Sequence, residues 1–425
     1  MKDMVAEKQR RGMFVFGSAL VLWVVMAGFM LIRQTDVIFR AMEIILFLIV
    51  IALFLKAPIR RRAGYPLYLE RVDERDVMFS RAARKQGTLA YQHYYSIRPH
   101  FKKVDDHLRA LPGLCTPKSL FYEPEPMKEA DRYFEEIETI LPDPVLIRDD
   151  VQGLSSAKNK EKWIKEYCKR LGAVDTGITG LTPTFIYTYK GRQDHHYGKK
   201  IELNHRTIIV FLVEMDFDTM QQAPYAPTIR ESARQYYRAA VIAKHLEAVL
   251  KEAGYDAKAQ YDAHYDVILP PLAELAGIGE VGRNNLLISR HHGPRVRIGA
   301  VTTNLILTPD RPIALGADYF CEICKKCATG CPSRSLNTGE KKLDRGVFKW
   351  TTSVETCYGL WRRFGTDCGI CMIHCPYSKP NTFMHRLIRK AISKSKIMAR
   401  LALAMDDLVY GKEWHYTPSK NKNLF

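Results

Sequence analysis

Apolar positions follow two regimes along this chain: unbroken runs in the first sixty residues, then periodic patterns interrupted by charge. Met13 to Ile32 is an uncharged apolar run of about twenty residues, long enough to cross roughly 30 Å of hydrocarbon as a helix. A second run has its uncharged core at Ile44 to Leu55 and needs Val37 to Glu43 to complete a span, which brings Arg40 and Glu43 near an interface. The two runs predict a transmembrane hairpin over residues 1–62. A cleaved export signal, helped by Arg10 and Arg11, fits less well: no small-x-small site follows, and the second apolar run comes directly after the first.

Beyond the hairpin the pattern is mixed α/β. Thr184 to Tyr189, Thr207 to Val213 and Arg295 to Thr303 read as strands, the second continuous enough to be buried on both faces. A capping box, Thr228-x-x-Glu231 after Pro227, predicts the start of a helix that carries Ala233, Tyr236, Tyr237, Ala240 and Val241 and stops at Gly254. Near the end, Phe383, Met384, Leu387, Ile388, Ala391, Met398 and Leu401 recur at helical spacing, with basic residues on the other faces. The expected organisation is an anchor (1–62), a helical linker region (63–150), an α/β domain (151–315), a cysteine-rich module (316–380) and a basic helix and tail (381–425).

Composition adds one thing to this picture, a net charge of +18. Lys2, Lys8, Arg10 and Arg11 precede the hairpin and Lys56, Arg60, Arg61 and Arg62 follow it, while the intervening loop offers Arg33 and Arg40. The positive-inside rule then places both ends in the cytoplasm, with a multi-pass protein in the inner membrane and its larger part on the reducing side. Asn381 to Met405 contains no acidic residue. Such a segment suits either an anionic lipid surface or packing on its own domain, and by itself it does not call for nucleic acid.

The chemistry is concentrated in the cysteines. Eight of the ten form Cys321-x2-Cys324-x2-Cys327-x3-Cys331-Pro332, then Cys357, then Cys368-x2-Cys371-x3-Cys375-Pro376. Three thiolates at three-residue spacing can meet one cubane, and the fourth, followed by proline, leaves toward another. The spacing predicts two [4Fe–4S] clusters with crossed ligands: Cys321, Cys324, Cys327 and Cys375 on one, Cys331, Cys357, Cys368 and Cys371 on the other. Structural zinc needs no such three-cysteine run, and a chain without a cleavable signal has little use for disulfides. Cys115 and Cys168 stand alone and read as structural thiols.

Two other motifs are weaker. Gly277-x-Gly279-x-x-Gly282 spells the dinucleotide fingerprint, but Leu272 to Ala276 before it looks helical and no acidic residue follows at about twenty. The glycines are expected instead to let backbone approach another large ligand. Asp194-x-His196-x-Gly198 nearly spells a cobalamin-ligating motif, with the glycine one position early, so His195 and His196 read as a solvated loop.

The run from Pro271 through Gly277, Gly279, Gly282, Arg283 and Asn284 to Ile288, followed by Gly293-Pro-Arg-Val-Arg297, Val301-Thr-Thr and the cysteine motifs, resembles the cobalamin-dependent reductive dehalogenases. The likeness covers roughly Gly180 to Tyr377, and epoxyqueuosine reductase is related to the same family. It implies a nitroreductase-like α/β domain that binds cobalamin without a histidine beneath the metal, followed by a ferredoxin-like double-cluster module. Gly277, Gly279, Gly282, Arg283 and Asn284 become the corrinoid-binding positions. Counting back one helix from Gly254–Tyr255 makes Tyr236 the proton donor, with Tyr237 the one-residue alternative, and Arg297 the arginine beside it. Dehalogenases commonly place asparagine or lysine where this chain has His264, and epoxyqueuosine reductases carry an acid near there, where Asp262 and Asp266 flank it. His264 is therefore expected to line the substrate pocket.

The resemblance implies reductive cleavage of a carbon–halogen bond, with halogenated aromatics as the expected substrates and a quinol, ferredoxin or flavoprotein as donor. Two alternatives stand beside it. One is reduction of an epoxide-like modified nucleoside; the other is a membrane iron–sulfur electron carrier that needs the cysteines but not Tyr236 or Arg297.

Overall fold

The computed structural model describes residues 42, 44–47, 69–141 and 144–413, with the side chains of 144–147 left aside. Residues 1–56 and 57–425 form two separate compact units. Met42 and 44–47 are helical, and the rest of the predicted transmembrane hairpin lies outside the described residues. Among the described residues no helix is long and apolar enough to cross a membrane.

The second unit is built on a four-stranded sheet, β1 (Asp175–Gly180), β2 (Thr207–Glu214), β3 (Ala257–Gln260) and β6 (Val296–Thr303), in the order β1-β2-β6-β3 with every pairing antiparallel. A hairpin of β4 (Gly279–Val281) and β5 (Leu287–Ser289) and another of β7 (Lys342–Asp344) and β8 (Val347–Lys349) stand apart from it. The helices around the site are α1 (Pro124–Glu136), α2 (Lys160–Arg170), α3 (Ala226–Glu252), α4 (Leu269–Leu275), α5 (Ala317–Cys324), α6 (Val354–Phe364), α7 (Phe383–Ile392) and α8 (Lys396–Tyr410).

The continuous apolar run of β2 has a simple cause: both faces of the sheet are covered. Ile209, Phe211 and Val213 point to the side of α3, packing with Ala239, Ala243 and Leu246. Ile208, Val210 and Leu212 point the other way, against Leu272 and Ala273 of α4. Alternation along a strand sends successive side chains to opposite faces, so two cores demand apolar residues at every position. Phe211 is fully buried. Phe211→Ala is expected to lower stability by about 3–5 kcal/mol, read as a fall in the denaturant midpoint at unchanged slope.

Three local expectations are corrected. Thr184 to Tyr189 is not a strand: it holds a single 3-10 turn at Pro183–Phe185 and isolated bridges at Ile186 and Tyr189. The helix predicted from Thr228 starts earlier, at Ala226 with Tyr225 as N-cap, so the capping box does not form. Glu231 instead accepts from the Asp216 amide at 2.6 Å and from Gln235 Nε2 at 2.9 Å. The basic segment near the end is two helices, because Ser395 caps a new one through its bond from the Met398 amide.

Candidate active site

A close approach of helix to strand sets the centre of the site. A Cβ built on Gly299 of β6 would fall 2.6 Å from the Phe211 ring and 3.2 Å from the Ala239 carbonyl of α3. Only glycine admits that contact. Two residues away, Arg297 lies under the α3 stripe formed by Ser232 and Tyr236, which are one turn apart and share a face. The Arg297 guanidinium carbon sits 4.4 Å from the Tyr236 ring centroid. Its Nη2 donates to the Ser232 hydroxyl and to Asp367 Oδ2, the latter at 2.8 Å.

Tyr236 and Arg297 line a cavity of about 290 Å³ together with Glu74, Arg192, Asp262 and Tyr265. Burial pushes the Tyr236 phenol above its ordinary range, and Arg297 opposes that rise. Burial also works against the charge of Arg297, but Tyr236 and Asp367 outweigh it and its pKa is raised. Burial raises the Asp367 carboxyl as well, again opposed by Arg297. The result is a neutral phenol against a permanent cation. Such a pair can give up a proton, because the guanidinium stabilises the phenolate left behind.

A neighbouring cavity of about 330 Å³ shares Ile268 and Pro270 with the first and is lined by Gly282, Asn285, Lys341, Trp350 and Thr352 among others. In the first cavity's wall Arg297 Nε is buried without a hydrogen-bond partner, and so is Oδ1 of Asp367, the carboxylate that Arg297 Nη2 holds. Two adjoining hollows with unmet polar atoms fit a large flat ligand that carries polar edges.

The cysteines fall into two sets. Burial, and then the thiolates of Cys321, Cys327 and Cys324, push the Cys375 thiol well above its usual range. Burial and then Cys368, Cys357 and Cys331 do the same to Cys371. Cys357, isolated in sequence on α6, is pushed up to about 11 by burial and by Cys331. Cys327 also feels Cys371, so the two sets adjoin. Among the described residues no three His, Cys, Asp or Glu side chains converge as ligands of a single metal ion do. A cubane does not ask for that convergence, since each iron takes its own thiolate. Thiols this hard to ionise fit a site where metal supplies the missing positive charge.

Both sets are tied to the α/β domain by arginines. Arg283 is buried, donates to the carbonyls of Cys321, Asn337 and Gly339, and has its guanidinium carbon 4.6 Å from the Trp350 ring centroid. Arg295 is fully buried and donates to the carbonyls of Ser378 and Met215. Asp367, which holds Arg297, immediately precedes Cys368.

No family model matches the chain. Tetrachloroethene reductive dehalogenase of Sulfurospirillum multivorans is 32% identical over 218 residues, which are 49% of this chain and 43% of that protein. Epoxyqueuosine reductase of Lactococcus garvieae is 31% identical over 152 residues, 32% of this chain and 39% of that one. A solved catabolic reductive dehalogenase in complex with 3-bromo-4-hydroxybenzoic acid is 26% identical and superposes with a TM-score of 0.61, covering 84% of this chain and 49% of that one.

Over about half its length the chain is similar in sequence to reductive dehalogenases.

It spans less than half the length of the first of these relatives, 43% of it. The positions that the dehalogenase resemblance singled out do not all meet. Tyr236 and Arg297 come together at the cavity, whereas Tyr237 turns toward α1, with its ring 5.6 Å from that of Tyr133. His264 is not in the cavity wall. Ala263 adopts a left-handed φ of 63°, and this turn sends Asp262 inward and His264 outward. His264 bonds Glu138 at 3.0 Å and Gln193 at 2.6 Å, and its ring stacks on Tyr261. Burial lowers its pKa, against the pull of Glu138.

In the glycine segment the close approaches are made by the chain's own backbone. A Cβ on Gly277 would lie 2.4 Å from the Arg311 carbonyl, and one on Gly279 would lie 2.6 Å from the Ile288 carbonyl. Gly277 and Gly279 admit the chain's own backbone, and Arg283 braces the cysteine loop. Asn284 is buried and accepts from the Leu286 amide at 3.3 Å. Gly282 alone of the five lines a cavity wall given above. The segment also joins a helix to a β-hairpin, not a strand to a helix, so the dinucleotide reading fails on topology.

Sequence reasoning missed Arg192, Tyr265 and Asp367. Asp262 was in view only as a flank of His264. Arg192 pairs with Asp262 at 3.0 Å across 70 residues, a contact without a local signature. Asp367 did carry one: it sits directly before a cysteine of the array.

Proposed function

We propose that this chain is a membrane-anchored reductive dehalogenase that replaces the halogen of an aromatic substrate with hydrogen. The observation that carries this reading is the half-buried Tyr236–Arg297 pair, lining a cavity and tied through Asp367 to the loop of Cys368. The reaction consumes two electrons and one proton and releases halide. A corrinoid in the adjoining cavities would deliver the electrons to the carbon–halogen bond. Gly282, Asn285 and Trp350 of the second cavity are among the residues that would hold it. Tyr236 supplies the proton, and Arg297 stabilises the phenolate and favours departure of the halide.

Cys321, Cys324, Cys327 and Cys375 would hold one [4Fe–4S] cluster and Cys331, Cys357, Cys368 and Cys371 a second, and the pair would supply electrons one at a time. The grouping of mutually perturbed thiols supports that crossed assignment. We place the catalytic part on the cytoplasmic side of the inner membrane, on the strength of the basic residues flanking the apolar runs. Protein purified without oxygen should carry about eight irons and one corrinoid. Eight irons with no corrinoid after reconstitution would leave an electron carrier in its place.

The pH dependence follows from the raised phenol. Tyr236 must be protonated to donate, and its pKa lies above the ordinary phenol value. The rate should hold level through neutral and mildly alkaline pH and fall as pH climbs past the ordinary phenol range. Arg297→Gln removes the cation that opposes the rise, so the falling limb should move to still higher pH as the rate drops.

Asp262 gives the nucleoside-epoxide reading a foothold, as a carboxylate that shares the cavity wall with Glu74. Arg192 pairs with it at 3.0 Å.

A further inference from the structure

Away from Tyr236, a cavity of about 670 Å³ opens between α7 and the 311–315 loop. Its wall carries five permanent or near-permanent cations, Arg290, Arg311, Arg386, Arg389 and Lys390, and no carboxylate. Asp175 comes within electrostatic reach of Arg290 but does not close an ion pair with it. Arg389 is 8% exposed, and its Nε is buried with no hydrogen-bond partner. His291 Nδ1, in the same wall, is also buried without a partner. Burial and the nearby Arg295 and Arg386 lower the Arg389 pKa to about 10. The Arg389 Nη atoms are spent on the carbonyls of Tyr377, Lys379 and Pro380, but a positive field assembled at this density is complementary to an anion.

The helix that supplies three of these cations is also apolar on its outer side. Phe383, Met384 and Leu387 are 69%, 58% and 50% exposed. At the far end of α8, Met405, Leu408 and Val409 are more than half exposed too. His385 Nε2 lies 2.9 Å from the Tyr410 hydroxyl, so the start of α7 and the end of α8 meet and these six side chains share one end of the helix pair. Leu387 and Lys390 are neighbours at i,i+3, which sets the apolar stripe beside the cationic wall.

We propose that α7, α8 and this cavity form a docking surface for the anionic phospholipid of a bilayer, with the cavity taking a headgroup phosphate and the six apolar side chains entering the headgroup–acyl boundary. An acidic electron-transfer protein would use the cations but leaves the apolar end without a role. A bilayer with anionic headgroups uses both. The surface is independent of the dehalogenation reading, because it touches neither Tyr236 nor Arg297.

The test uses the full cluster-loaded chain carrying Phe383→Trp, with wild type measured in parallel to subtract the native tryptophans. Emission is recorded with vesicles of brominated phosphatidylcholine, with and without phosphatidylglycerol. Tryptophan at 383 should shift to the blue and be quenched when phosphatidylglycerol is present, and both effects should fade in high salt. Adding Arg386→Gln and Lys390→Gln should weaken the association about thirtyfold, from two lost cations, with circular dichroism unchanged. Quenching of equal strength without anionic lipid, or none with it, would overturn the proposal. So would a double variant that keeps its quenching but slows reduction by an acidic ferredoxin, which would assign the surface to a protein donor.

Discussion

Tyr236→Phe is expected to cut halide release by about 100- to 10,000-fold, the range that a positioned proton donor contributes. The change removes one oxygen and keeps the ring that packs against Arg297 at 4.4 Å. Fold, iron content and the α3–β6 contact at Gly299 should therefore survive. Loss of rate with unchanged cofactor content places the defect in proton delivery. If the variant instead kept its full rate, the proton would come from elsewhere, and Tyr265 in the same cavity wall would be the next candidate. Its phenol is held well above the ordinary range, by burial first and then by Asp262 and Tyr236, which makes it the poorer donor of the two.

The second large effect concerns the crossed thiols. Cys375→Ser lies in the second motif but is expected to damage the first cluster, the one that also takes Cys321, Cys324 and Cys327. Cys331→Ser, in the first motif, should damage the second. Each variant should lose up to about four of eight irons, and the surviving cluster's low-temperature EPR spectrum should differ between the two. A pairing by sequence proximity predicts the opposite assignment. Cys357→Ser gives a third check, since nothing in its local sequence marks it as a ligand, yet it lies within electrostatic reach of Cys331 and Cys371.

What could be read from the sequence was whatever rests on short range or on strict periodicity. The apolar continuity of β2 announced a strand covered on both faces, and Gly254, at a left-handed φ of 88°, marked the end of α3. The cysteine spacing carried its own geometry. Failures came where one residue decides direction. A left-handed Ala263 puts Asp262 in the cavity and His264 outside it, and no pattern of apolar residues reports that turn. Thr228 resembles a cap, but Ala226 and Pro227 before it are already helical, which leaves the Thr228 hydroxyl buried without a partner.

The glycine segment is legible only in part, because glycine announces a close approach without saying what approaches. At Gly277 it is the Arg311 carbonyl and at Gly279 the Ile288 carbonyl. Similarly, Arg283, Arg295 and Arg297 look interchangeable as basic residues in a motif. Burial and partners separate them: the first two brace cysteine-loop carbonyls, and the third alone of these lines the Tyr236 cavity.

The central claim is tested most directly by supplying anaerobically purified, corrinoid-loaded protein with a strong one-electron reductant and a bromophenol, and measuring bromide and debrominated phenol together. The account predicts that the two appear in equal amounts, at a rate that collapses in Tyr236→Phe. No bromide release under these conditions, with turnover of an epoxyqueuosine-containing RNA instead, would contradict it.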